Sequence, residues 1–102
     1  MRYPVPGGAL ATQPYQTIVD TQGQTLGVIL QNPSTVDVYV SEKPDNLANT
    51  TSTNLPTVGL HFPPDTPGIT PFMLVLPRFN GKLYARSQAS GAQMEAITFQ
   101  PC

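Results

Sequence analysis

A chain of 102 residues is long enough for one domain with one core. Charged residues make up only 11% and the net charge is −1, which argues against steering toward nucleic acid or anionic lipid. Twelve prolines exclude long helices, and Cys102, alone and terminal, excludes an intrachain disulfide.

Met1–Pro14 carries three of those prolines and a Gly7-Gly8 pair, with no helical period and no sustained alternation. It reads as an extended arm, residues 1–14, ahead of a domain spanning 15–102. One reading is a disordered terminus; the other is an arm that lies on a neighbouring subunit, because Tyr3, Val5 and Leu10 are apolar groups that a free tail gains nothing by exposing. Pro-rich extended segments lose little entropy on docking.

Tyr15–Asp20 reads as a first strand, with Tyr15, Thr17 and Val19 on one side. A Thr21–Gln24 turn follows. Thr25–Ser41 then holds two alternating runs. Leu26, Val28 and Leu30 share one face, Val36, Val38 and Val40 share another, and Asn32-Pro33-Ser34 separates the two runs. Period-two alternation about a Pro-containing turn predicts a β-hairpin. Glu42–Pro56 is rich in Asx, Thr, Ser and Pro, which is loop chemistry. Thr57–Phe62 is a short strand candidate, and Pro63–Thr70 a second Pro-rich loop.

Pro71–Pro77 is the most apolar run and includes Phe72. Continuous hydrophobicity predicts a strand buried on both faces, with the sheet core on one side and a partner on the other. Phe79 follows, then Asn80-Gly81, a strong hairpin signal. Lys82–Ser87 and Ala92–Phe99 complete the set. Six or seven short strands, with turn signals every eight to twelve residues, predict an all-β fold: a small antiparallel sandwich or barrel. Tyr3, Val5, Leu10, Phe72 and Phe79 are the candidate partner-interface residues.

Catalytic chemistry is thin. His61 is the single histidine, so a transition-metal site would need carboxylates or another chain to complete it. Asp20, Asp37, Glu42, Asp45, Asp65 and Glu95 have no spacing that forces a catalytic pair together. No nucleophile elbow, phosphate-cradling glycine pattern or calcium loop occurs. Arg78, Lys82 and Arg86 surround the Asn-Gly turn, where three cations read as a solvated edge rather than a nucleic-acid patch. No catalytic residue, cofactor or metal is therefore expected. No secretory signal or membrane-spanning run is evident, so the chain is expected to be synthesised in a cytoplasm and to stay soluble or assemble.

The two turn regions carry a resemblance. Leu30, Gln31 and Asn32, then Val38, Tyr39 and Val40, then Gly81, Leu83, Tyr84 and Ala85 resemble small β-sandwich virion proteins of tailed bacteriophages. In that group an LQN…VYV segment precedes a G-x-LYA strand and a closing strand. The resemblance covers roughly residues 25–100. It implies a β-sandwich and a non-enzymatic role as a capsid decoration (cement) protein, or as a small neck or tail component. It implies as partners the major capsid protein or other virion subunits, and a homo-oligomer, with a trimer suggested by local shell symmetry. A binding module for carbohydrate or a host surface is the rival expectation; against it, the chain has no Trp and Glu42–Pro56 has no aromatic.

Overall fold

A computed structural model describes residues 1–7, 15–47, 59–65 and 73–101. Eight strands lie among them: β1 (Arg2–Val5), β2 (Gln16–Asp20), β3 (Leu26–Gln31), β4 (Val38–Ser41), β5 (Leu60–Phe62), β6 (Met73–Phe79), β7 (Lys82–Ser87) and β8 (Ala92–Phe99). A single 3₁₀ turn covers Pro44–Asn46. No helix among the described residues is long and apolar enough to cross a membrane.

The strands form two four-stranded antiparallel sheets, ordered β1-β8-β3-β6 and β2-β7-β4-β5. The fold is all-β and sandwich-like, as the strand pattern predicts. The alternation also places the core correctly. Val28, Leu30, Val38 and Val40 are fully buried, with Ile18, Val19, Phe62, Leu83, Ala85 and Met94 around them. Val36, Leu74 and Leu76 pack against this cluster from its margin. In β2 the register shifts between Thr17 and Val19, which pair with the adjacent Tyr84 and Leu83. That bulge buries both Ile18 and Val19, whereas strict alternation would bury only one of them.

The pairing differs from the expected hairpins. β3 pairs with β6 and β8, while β4 pairs with β5 and β7. The Asn32-Pro33-Ser34 turn therefore carries the chain from one sheet to the other. The Asn80-Gly81 turn does the same between β6 and β7. A two-residue type I′ hairpin needs positive φ at both central residues. Here Gly81 has φ 144° and Asn80 is not positive. In both arches the apolar faces oppose each other across the core, so the period-two pattern is that of a hairpin although the ladder partners differ.

Side chains lock these crossings. Asn32 is 2% exposed. Its Nδ2 donates to the carbonyls of Val36 (2.8 Å), Phe62 (3.1 Å) and Pro63 (3.1 Å). Its Oδ1 accepts the Ser34 backbone N–H at 3.0 Å, an Asx turn, and the Ser34 hydroxyl at 2.5 Å. Buried Thr21 plays the equivalent part at the opposite end: its Oγ1 accepts from the Gly81 N–H at 2.9 Å, and its own N–H donates to the Gly81 carbonyl at 3.0 Å.

The N-terminal residues are extended, but residues 2–7 are not a free arm. β1 pairs antiparallel with β8, Arg2 opposite Glu95 through Val5 opposite Ala92. The Pro6 carbonyl then accepts the Ser87 N–H at 3.0 Å, and Gly7 forms a parallel bridge to Ser87 in the other sheet. The segment thus straps one sheet to the other. A Cβ at Gly7 would lie 2.1 Å from the Ala89 carbonyl oxygen, so only glycine permits the approach. The physical reason for docking is Val5, which is 5% exposed and completes the core. The rest of the expected arm, residues 8–14, lies outside the described residues.

Candidate interaction surface

β6 is the edge strand of the first sheet and is buried on one face only. Leu74, Leu76 and Phe79 pack inward, whereas Met73 is 53% and Val75 50% exposed. A two-layer sandwich gives every strand one outward face, and on β6 the described residues leave that face, with Met73 and Val75, exposed.

Residues directly opposite in an antiparallel ladder point to the same side of the sheet. The register therefore defines what β6 shares its outer face with. Val75 aligns with Ile29, and Ile29 with Ile97, forming one apolar row across three strands. Met73 aligns with Gln31, then Glu95 and Arg2. Phe99 aligns with Gly27. Ile97 is 45% and Phe99 39% exposed. A Cβ at Gly27 would come within 2.2 Å of the Phe99 ring, so glycine lets the ring lie over the strand. Arg2 Nε donates to Glu95 Oε2 at 3.3 Å at one margin of this face, and exposed Arg78 sits in β6 beyond Val75. The result is a contiguous apolar strip of four large exposed side chains with a polar border, the kind of surface that marks an interaction site.

The sequence-derived interface residues divide. Val5 is core and not available to a partner, and Tyr3 packs against the core. Phe79 is half-buried and lines a cleft of ≈ 680 Å³ together with Val40, Leu60, Leu76 and Leu83. Leu10 and Phe72 lie outside the described residues. Ile97 and Phe99 were not anticipated, although a signal exists. Along β8 the inward positions are Ala92, Met94 and Ala96, while the outward ones change from Gln93 and Glu95 to Ile97 and Phe99. Large apolar groups opposite small ones, on the outward phase of a strand, is the pattern to look for.

The outer face of the second sheet carries the histidine. β5 sets His61 beside Tyr39 of β4, and their rings stack at 4.9 Å with a 16° interplanar angle. His61 Nε2 lies 2.7 Å from Asp37 Oδ1. Both side chains are about half exposed, so the pair is screened and contributes at most about 1 kcal/mol. Burial and then the Asp37 charge push the Tyr39 hydroxyl above its ordinary pKa of 10.0. Burial likewise lowers that of Arg86, which aligns with Tyr39 on β7 and is 4% exposed rather than part of a solvated edge. Lys82 lies at the opposite end of β7, 4.0 Å from Asp20. Arg86 and Lys82 therefore do not converge. A carboxylate on an imidazole orients the ring, but proton transfer also needs a substrate group within reach. Among the described residues no group of three or more His, Cys, Asp or Glu is gathered for a metal ion. Comparison with protein-family models, curated proteins and solved structures found no match.

Proposed function

We propose that this chain is a non-enzymatic virion structural subunit of the capsid-decoration type, whose work is assembly. The observation that carries the reading is the open apolar strip Met73, Val75, Ile97 and Phe99, on a two-sheet sandwich whose low charge leaves little to hold identical copies apart. The LQN…VYV and G-x-LYA segments, which carry the resemblance to small phage virion proteins, supply its context. Individually weak contacts become effective when a lattice repeats them. The test is sedimentation of the purified chain with empty heads of its parent phage. Saturable co-sedimentation and a raised melting temperature of the shell are expected. No co-sedimentation at concentrations well above micromolar overturns the decoration role.

A further inference from the structure

We infer that the outer face of the β1-β8-β3-β6 sheet is the contact between two copies of this chain, packed face to face about a two-fold axis. The inference rests on the reading of that face as an assembly surface and names its occupant.

The argument is self-complementarity. An isologous contact places a patch on itself, so the patch must tolerate its own image. The central row Val75, Ile29 and Ile97 is apolar throughout. Ile29 is its middle member, so a two-fold axis passing over Ile29 lays apolar residue on apolar residue. Arg2 and Glu95 neutralise each other at 3.3 Å at the margin of the face, and exposed Arg78 sits in the β6 bulge; all three lie outside the row. No like charge is therefore forced into the centre, where an unpaired charge would be costly. A net charge of −1 adds almost no long-range repulsion between copies.

Face packing fits better than pairing along the open edge of β6. The register of β6 against β3 shifts between Leu26 and Val28, which pair with Phe79 and Leu76, so Pro77 and Arg78 sit in a bulge. Proline and a bulge are the devices that prevent a strand edge from recruiting another strand. They leave the side-chain face untouched.

Area sets the strength. Three strands spaced ~4.8 Å apart and about five residues deep give a strip on the order of 200 Å² in projection. A standard interface buries about 800 Å² per partner, so this strip can form only its centre. The contact is therefore a weak, reversible dimer rather than an obligate one.

Sedimentation velocity across micromolar to submillimolar concentrations tests this. The wild-type chain should shift reversibly from monomer to dimer. Val75→Lys and Ile97→Lys replace half-exposed side chains and should leave the circular dichroism spectrum unchanged while weakening association at least tenfold. Ser90→Lys makes the same charge change at an exposed turn position outside the face and should have no effect. A wild-type chain that stays monomeric overturns the inference, as does association that survives both strand substitutions or is weakened equally by Ser90→Lys. The shell experiment separates the two readings. A monomeric wild type whose head binding is lost in Val75→Lys assigns the face to the shell, which overturns the self-contact while leaving the decoration role standing. A dimer that never binds heads does the reverse.

Discussion

Asn32 shows how much one polar side chain can fix. Its amide has two protons and faces three carbonyl oxygens, those of Val36, Phe62 and Pro63, from a site almost closed to water. Removing it takes donors away from carbonyls in a site almost closed to water, which costs more than a hydrogen bond gains. Asn32→Ala should therefore destabilise the fold by about 2–3 kcal/mol, read as a lower urea midpoint. Asn32→Asp should cost more, because a carboxylate would face the same three oxygens. Tyr39 gives a pH signature. Its hydroxyl pKa is raised in the folded state, by burial first and by Asp37 second. The folded chain thus holds the proton more tightly than the unfolded one. The contribution is fully present below the unfolded pKa of 10.0 and is lost as pH rises through and beyond it. Urea midpoints between neutral and strongly alkaline pH should fall less steeply in Tyr39→Phe than in the wild type.

At the scale of elements, β1 and β4 make opposite points about where structure is legible. β4 is a strand with clean alternation, and Val38 and Val40 are fully buried as the pattern requires. Val38→Asp would place an unpaired charge in the core and should abolish folding, seen as loss of the β-sheet dichroism. β1 has no such pattern, since two of the six residues from Arg2 to Gly7 are prolines. It forms because β8 offers a free edge and the core leaves room for Val5. Proline is tolerated there because an edge strand needs only one of its two ladder sides. Deleting residues 2–5 should then lower the melting temperature by roughly 10 °C or more, since burying Val5 alone contributes about 2 kcal/mol. An unchanged melting curve would show that the strap adds nothing. β6 is the intermediate case. Its hydrophobicity is evident in the sequence, but the expected burial on both faces is not met among the described residues, and which residues lie on the exposed side depends on the phase set by Leu74 and Leu76 facing the core.

For the whole molecule, the sequence by itself determined that the chain is all-β, where seven of its eight described strands fall, and which residues of β3 and β4 face inward. Those are local properties: alternation records a buried face, and Pro, Asn and Gly record a reversal. Only the tertiary structure decided which strands pair. A hairpin and an arch between sheets demand the same inward alternation and the same turn chemistry, so Leu26–Ser41 is equally good sequence for either. The choice was made by long-range partners, with β8 and β6 taking both sides of β3, and β7 and β5 both sides of β4. The same pairing assembled the outer strip, because Val75, Ile29 and Ile97 are far apart along the chain and become neighbours only through the register of three strands. Hydrophobic burial is non-directional and can be read one strand at a time, whereas ladder hydrogen bonds join two strands at a specific register. That is why the core of this protein was visible in its sequence and its candidate interface was not.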